Sequence, residues 1–134
     1  MSKNYVIFSD SGCDLPEEVI KQYNIGIVKL SLKIDDHVYG EDSDTVPIKE
    51  FYDKMRAGSL TSTSQATPEQ FINAFDKTLA DGKDVLYIAF SSGLSGTYNS
   101  SLIARETLLE KYPERKMIVV DSLAASMGQG LFVY

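Results

Sequence analysis

The stretch Val85-Leu86-Tyr87-Ile88-Ala89-Phe90, followed at once by Ser91-Ser92-Gly93-Leu94-Ser95-Gly96, decides the fold of this chain. The first six residues are apolar or aromatic at every position, so a strand formed by them must be covered on both of its faces. Strands of that kind belong to parallel sheets that carry helices on each side. The polar segment after them is typical of the connection from such a strand into a helix, which we expect at about Thr97 to Lys111.

Further strands are predicted both before and after this one along the chain. Apolar runs at residues 5–8 and 117–120 predict two more buried strands. Residues 25–34 are extended in character and lead through Asp35-Asp36 into residues 37–39, which predicts a β-hairpin. Strands in this arrangement alternate with segments of helical periodicity.

Helices are predicted from capping residues and from the spacing of apolar side chains. Asp14 is expected to cap a short helix that ends near Tyr23, and a second helix follows Pro47. Thr67-Pro68-Glu69-Gln70 predicts a capping box and a third helix. Residues 59–67 are rich in hydroxyl groups, and we interpret them as an exposed polar loop. The alternation predicts an α/β fold with a mainly parallel sheet flanked by helices.

Composition narrows the class of protein. The chain has 134 residues and a net charge of −6, with 43% apolar and 24% charged residues, which suits one domain over residues 1–134. The negative balance argues against nucleic acid as a partner, and no apolar run approaches the ~20 residues of a membrane span. A single cysteine, Cys13, and a single histidine, His37, exclude an internal disulfide and a histidine-based metal site. We expect a cytoplasmic protein without metal or cofactor.

Small polar residues follow three of the predicted strands. These are Ser9-Asp10-Ser11, Ser91-Ser92-Gly93 and Asp121-Ser122. In parallel α/β sheets, ligands bind beyond the carboxyl ends of the strands, so this rim is the candidate site. We expect Asp10 and Asp121 to orient amide and hydroxyl groups there, since no third metal ligand of suitable spacing accompanies them.

The loop between Ser91 and Thr97 has the character of an anion site. Its glycines allow close backbone approach, and Ser95 lies where its hydroxyl and the amides of a helix start can face one point. The nearest cations in sequence, Lys83 and Arg105, lie outside the loop, which favours a carboxylate over a phosphate. The same residues also suit a serine-capped helix that binds nothing.

Ser95 also suggests an enzyme as the alternative. Gly93-Leu94-Ser95-Gly96-Thr97 approaches the G-x-S-x-G nucleophile elbow but lacks the final glycine. The elbow takes its base from a histidine later in the chain, whereas His37 comes earlier. A serine hydrolase or phosphotransfer enzyme using Ser95 is therefore the weaker hypothesis.

The set of motifs as a whole resembles the DegV family of bacterial fatty-acid-binding proteins. Any one motif alone is weakly specific, but all occur in the order and spacing of that family. The segments that carry the resemblance are Phe8-Ser9-Asp10-Ser11, Cys13-Asp14-Leu15-Pro16, Thr63-Ser64-Gln65-Ala66-Thr67, Ser91 to Tyr98, and Val120-Asp121-Ser122.

The resemblance implies a carrier that catalyses nothing itself. Its ligand would be a long-chain fatty acid such as palmitate, with the carboxylate held by Thr63 and Ser95. A separate fatty acid kinase subunit would phosphorylate the presented carboxylate for phospholipid synthesis. Supporting roles at the site would fall to other residues of the same motifs, namely Ser64, Ser92, Gly93, Gly96, Asp10 and Ser122.

DegV proteins are usually about twice as long as this chain. The resemblance therefore covers the N-terminal lipid-binding domain of the family, and the C-terminal domain is absent. The apolar ending Leu131-Phe132-Val133-Tyr134 would leave apolar surface uncovered. Three consequences stay open: cover of that surface by a partner chain, self-association through domain swapping, or loss of lipid affinity.

Overall fold

The computed structural model describes residues 4–40 and 46–134. Within these ranges the strands are Tyr5–Asp10 (β1), Gly26–Val28 (β2), Ser31–Ile34 (β3), His37–Tyr39 (β4), Thr61–Ser64 (β5), Asp84–Ala89 (β6) and Met117–Asp121 (β7). The helices are Glu17–Tyr23 (α1), Ile48–Arg56 (α2), Pro68–Ala80 (α3), Thr97–Lys111 (α4) and Ser126–Val133 (α5), and a single 3-10 turn spans Ser11–Cys13.

The larger sheet contains four strands in the order β2-β1-β6-β7. Every neighbouring pair in it is parallel. The prediction of an α/β fold with a mainly parallel sheet flanked by helices is confirmed. The central position of β6 explains why its sequence is apolar at successive positions.

Two separate cores cover the two faces of this sheet. Alternate residues of β6 point to opposite sides, so Tyr87 packs with Phe71 and Phe75 of α3 on one face. Ile88 packs with Ile25 and with Val133 of α5 on the other face. The helix predicted from Thr97 to Lys111 is confirmed, and it contributes buried side chains to the first core.

A smaller antiparallel sheet has the order β4-β3-β5. The hairpin predicted around Asp35-Asp36 is confirmed as β3 and β4, with Asp35 in the left-handed conformation at φ 52°. The extended stretch 25–34 divides, because β2 joins the large sheet and β3 joins the small one.

The prediction that residues 59–67 form a loop is wrong, because Thr61–Ser64 pair with Ser31–Ile34 as a strand. The hydroxyl residues of β5 show no alternation of apolar and polar side chains. The sequence pattern therefore gave no sign that this segment pairs. Asp35 fixes the start of β5 through a reciprocal pair of hydrogen bonds, since its amide donates to the Leu60 carbonyl and its carboxylate accepts from the Leu60 amide.

The predicted N-terminal cap of α3 is confirmed, whereas that of α1 is wrong. Thr67 and Gln70 form the expected reciprocal capping box at the start of α3. Asp14, however, does not cap α1; it ends the 3-10 turn at φ 51°, and Pro16 occupies the position before the helix without a side-chain cap. Asp14 cannot serve as that cap because Leu15 and Pro16 separate it from the first helical residue.

Helices α2 and α5 each expose several apolar side chains. On α2 these are Ile48, Tyr52 and Met55, although their spacing is that of a buried face. On α5, Leu131 is 73% exposed and Phe132 is 63% exposed, as expected from the apolar ending of the chain. Self-association through this surface stays a prediction.

The small sheet is attached to the rim of the large sheet on two sides. The Leu30 amide, just before β3, donates to Oγ of Ser11 at 3.0 Å. Just after β5, the Ala66 amide donates to Oγ1 of Thr97 at 3.4 Å. Ser31 and Ser64 face each other at the corresponding ends of β3 and β5. The small sheet therefore begins at the rim, beside the start of α4.

Candidate functional site

The loop that follows β6 is held at three successive backbone amides. The Phe90 amide donates to Oδ2 of Asp10 at 2.9 Å, and the Ser91 amide donates to the Ala124 carbonyl at 3.0 Å. The Ser92 amide donates to Oδ1 of Asp121 at 3.2 Å. Neighbouring strands and the segment before α5 therefore position this loop from several sides. As predicted, Asp10 and Asp121 orient amide groups at the rim.

Asp10 is fully buried and accepts four hydrogen bonds. Besides the Phe90 amide, its donors are the Tyr87 hydroxyl at 2.6 Å, the Gly12 amide at 3.0 Å and Nε2 of Gln129 at 3.1 Å. Burial and the adjacent Asp10 carboxylate raise the pKa of Tyr87 far above its usual value, so Tyr87 stays a neutral donor. The site thus rests on a buried carboxylate that needs no cation.

Gln129 of α5 is a structural residue that the sequence analysis missed. Its Nε2 also lies 3.0 Å from Oγ of Ser9 and 3.3 Å from the Ile88 carbonyl oxygen, so it joins β1 and β6 to the last helix. These partners are far away along the chain. The only signal in the sequence was a lone glutamine in an apolar helix. That signal did not indicate which residues the glutamine would contact.

Ser122 and Asp121 close the rim at the end of β7. The Ser122 hydroxyl is buried, donates to the Ala89 carbonyl at 2.6 Å and accepts from the Ala124 amide at 3.2 Å. The Ser92 hydroxyl and the amides of Leu123 and Ser92 hold the pKa of Asp121 below its usual range. Both residues therefore support the loop rather than point at a ligand.

Ser95 is half-buried and lies immediately before α4. Its Oγ accepts from the Thr97 amide at 3.2 Å and lies 2.8 Å from Oγ1 of Thr97. In the described chain, the next amides of α4, those of Tyr98 and Asn99, have no acceptor. A helix start carries partial positive charge at such amides, so an anion near Ser95 is favoured.

Thr63 lies on the exposed edge strand of the small sheet. It is paired with Leu32, which is in turn paired with Tyr39, so these three side chains share one face. Ala66 lies three positions after Thr63 and bonds to Thr97, so Thr63 lies within about 11 Å of that contact along the chain. The segment that carries Thr63 and the loop that carries Ser95 therefore meet at the start of α4.

The remaining supporting residues differ in position. Ser64 points to the opposite face of β5 from Thr63. Gly93 is exposed, and its amide donates to Oγ of Ser91 at 3.2 Å. The side-chain amide of Gln65 occupies the space where a Cβ on Gly96 would lie, so the absence of a side chain at Gly96 lets the two motif segments touch.

An apolar cleft of about 430 Å³ adjoins the rim beside the end of β1. Ser11 stands at its edge, and Phe51 and Tyr52 of α2 form one wall. The volume lies within the ~300–1,000 Å³ usual for small-molecule sites. The opposite wall is formed by Cys13, Leu15, Ile20 and Ile27.

Within residues 4–40 and 46–134, no residue that bonds to Ser95 provides the base that a nucleophilic serine requires. Its hydrogen-bond partners are the amide and hydroxyl of Thr97, neither of which accepts a proton at neutral pH. His37 lies on β4, where its ring stacks edge-on with Tyr39 at 4.3 Å. Burial raises the pKa of the Cys13 thiol, which suits packing rather than reactivity.

Residues 4–40 and 46–134 contain neither a metal-binding cluster nor a membrane-spanning helix. No cluster of three or more histidine, cysteine, aspartate or glutamate residues could hold a metal ion there. No helix in these ranges has the length and apolar character needed to cross a membrane.

Comparison with known proteins gives a consistent picture. Residues 4–134 match the family described as "uncharacterised protein, DegV family". A DegV domain-containing protein of Clostridium perfringens is 50% identical over 134 residues, which cover 98% of this chain and 46% of that relative.

Solved structures give the same result for the fold. A stearic-acid-binding protein from Eubacterium ventriosum superimposes with a TM-score of 0.89 at 30% identity, over 96% of this chain and 45% of the other. A DegV family protein from Thermus thermophilus, described as binding fatty acid, gives 0.79 at 31% identity over 96% and 44%. The chain spans somewhat less than half the length of these relatives.

The Tyr87 hydroxyl should contribute to stability through Asp10. Tyr87→Phe removes a buried hydrogen bond to a charged group, and we expect a loss of about 1.5–3 kcal/mol in the free energy of unfolding, measured in urea. Tyr112→Phe is the matched control, because its hydroxyl donates to Asp76 near the surface and should cost about 1 kcal/mol or less. Equal small losses would contradict a special role for Asp10.

The lowered pKa of Asp121 predicts a pH-dependent contribution to stability. A depressed folded-state pKa stabilises the fold above the unfolded value of about 3.9 and loses that effect as pH falls through the folded value. Asp121→Asn should therefore lower the urea midpoint at about pH 7, and the difference from wild type should shrink towards about pH 3. The control Asp81→Asn, at the exposed end of α3, should change the midpoint little at either pH. A difference for Asp121→Asn that grows on acidification would overturn this interpretation.

Proposed function

This chain belongs to the DegV family, and we propose that it is the domain that holds the carboxylate of a long-chain fatty acid. Support comes from relatives described as fatty-acid-binding, which match 96% of this chain. The observation that carries the proposal is the meeting of two hydroxyl-bearing segments at the start of α4, through the hydrogen bond from Ala66 to Thr97. In this proposal the domain is the N-terminal half of a two-domain carrier.

The carboxylate is proposed to bind beside the first turn of α4. Ser95 would donate one hydrogen bond from its hydroxyl and Thr63 a second from the edge of the small sheet. The amides of Tyr98 and Asn99 add favourable electrostatic potential without a charged side chain. Hydroxyl and amide donors are sufficient for a single negative charge, which favours a carboxylate over a doubly charged phosphate.

The hydrocarbon tail is proposed to lie against the apolar surfaces of this domain. The cleft walled by Phe51 and Tyr52 is one such surface, and it opens at the same rim. The fourteen methylenes of palmitate, at about 0.8 kcal/mol each, provide roughly 11 kcal/mol when fully buried. Two hydrogen bonds to the charged headgroup add about 3–6 kcal/mol before desolvation. Tail burial should therefore dominate affinity, while the hydroxyls set orientation.

The proposed carrier presents its ligand rather than transforming it. Among the described residues, those that bond to Ser95 supply no base, which supports a role in holding the carboxylate rather than activating it. A separate fatty acid kinase subunit in the cytoplasm would transfer phosphate to the carboxylate, and the acyl phosphate would supply phospholipid synthesis. The position of the site at the rim supports this, because Ser95 is only half-buried.

Removal of both hydroxyls should weaken fatty acid retention. We expect the chain to retain palmitate in equilibrium dialysis with radiolabelled palmitate, and the double variant Thr63→Ala, Ser95→Ala to bind at least a hundredfold more weakly, from the loss of two hydrogen bonds to a charge. Ser62→Ala is the matched control, since Ser62 neighbours Thr63 but points to the opposite face of β5. Its affinity should equal that of wild type.

Two results would refute the proposal. One is the absence of palmitate binding by the wild-type chain. The other is undiminished binding by the double variant. Covalent labelling of Ser95 by a fluorophosphonate probe would instead favour the serine hydrolase.

A further inference from the structure

We propose that the buried hydroxyl of Thr97 fixes Ser95 as a hydrogen-bond donor toward the ligand, and thereby makes the site prefer a carboxylate over an uncharged headgroup. Thr97 is thus assigned as a positioning residue, and this assignment rests on the proposed function. It follows from which atoms donate and which accept hydrogen bonds at the hydroxyl groups of Thr97 and Ser95.

The pairing begins at Thr97, whose side chain is fully buried. Oγ1 of Thr97 accepts from the Ala66 amide at 3.4 Å, which occupies one of its two lone pairs. A buried hydroxyl proton without an acceptor is unfavourable, and the acceptor within reach is Oγ of Ser95 at 2.8 Å. The fully paired arrangement therefore has Thr97 donating to Ser95, not the reverse.

The same reasoning sets the direction of the Ser95 hydroxyl. Its Oγ also accepts from the Thr97 amide at 3.2 Å, so both lone pairs of Ser95 are occupied. The remaining group is its proton, which is free to point toward the half-exposed side where a ligand can approach. Toward a ligand, Ser95 therefore acts as a donor and not as an acceptor.

A fixed donor favours a charged acceptor. A carboxylate offers only acceptors, and a hydrogen bond to an ionised group is about twice as strong as one between neutral groups. A long-chain alcohol gains only the weaker neutral bond. The hydrogen bonds run from Ala66 through Thr97 to Ser95, so they also tie the segment that carries Thr63 to the loop that carries Ser95.

The test compares palmitate with hexadecanol in the full 134-residue chain. Thr97→Val keeps the shape of the side chain but removes both its acceptor and its donor, so Ser95 can rotate. We expect about tenfold weaker binding of palmitate in equilibrium dialysis and less than threefold change for hexadecanol. Thr97→Ser restores a hydroxyl at the same position and should recover most of the preference for palmitate.

Ser101→Ala provides the matched control on the same helix. Ser101 is buried and its hydroxyl donates to the Tyr98 carbonyl, away from Ser95. Its removal should leave the ratio of the two affinities unchanged. Each variant is also unfolded by heat, so that binding is compared at temperatures where all of them are folded.

The outcomes separate the two claims. If wild type binds palmitate and Thr97→Val keeps the wild-type preference for palmitate over hexadecanol, the role of Thr97 is refuted and the proposed function stands. If both ligands weaken equally in Thr97→Val, its role is structural and the inference is also refuted. If wild type binds no palmitate, both claims fail. If Thr97→Val does not fold, failure of Thr97→Ser to match the wild-type ratio refutes the inference, and a match supports it.

Discussion

A buried carboxylate, Asp10, holds together the edge of the sheet from which the candidate site is built. Its four donors come from the 3-10 turn after β1, from β6, from the loop after β6 and from α5. Because a buried acceptor is costly unless it is paired, each of these segments is constrained to one position relative to the others. The loop that carries Ser95 therefore begins at a fixed position. This fixed start helps to define the position of the Ser95 hydroxyl further along the loop.

The same constraint explains how the rim is ordered by anionic and neutral groups. Its amides and hydroxyls are satisfied by the carboxylates of Asp10 and Asp121 and by nearby carbonyl groups, so no cationic side chain is needed to order them. What is left unpaired at the start of α4 is a small set of donors. A single negative charge suits that set better than a phosphate does. This is the physical link between the packing of the sheet and the class of ligand.

Some of this architecture was predictable from local sequence. The apolar run 85–90 requires cover on both faces, and it correctly predicted a central parallel strand and the loop after it. Thr67 and Gln70 are three residues apart, so their capping box was also predictable. The capping box joins two residues that are close in sequence. The need for cover on both faces applies to every residue of the apolar strand.

Other features depend on contacts between residues that are far apart along the chain, and a local sequence pattern does not indicate such contacts. The strand Thr61–Ser64 pairs with residues 30 or so positions earlier, and its hydroxyl side chains carry no alternating pattern. Gln129 contacts residues near the start of the chain. Ser95 was indicated by the pattern of its loop and Thr63 through family resemblance, whereas the contact between Ala66 and Thr97 that brings their segments together required the fold.

The central claim is that oriented donors, rather than a cation, hold a charged carboxylate at the start of α4. The pKa of bound palmitate tests it most directly, measured from the pH dependence of the NMR signal of palmitate labelled at its carboxyl carbon. Donors that stabilise the ionised form lower that pKa, so the bound carboxyl should titrate at lower pH than the same palmitate in neutral lipid vesicles. A bound pKa equal to or above the vesicle value would contradict the account.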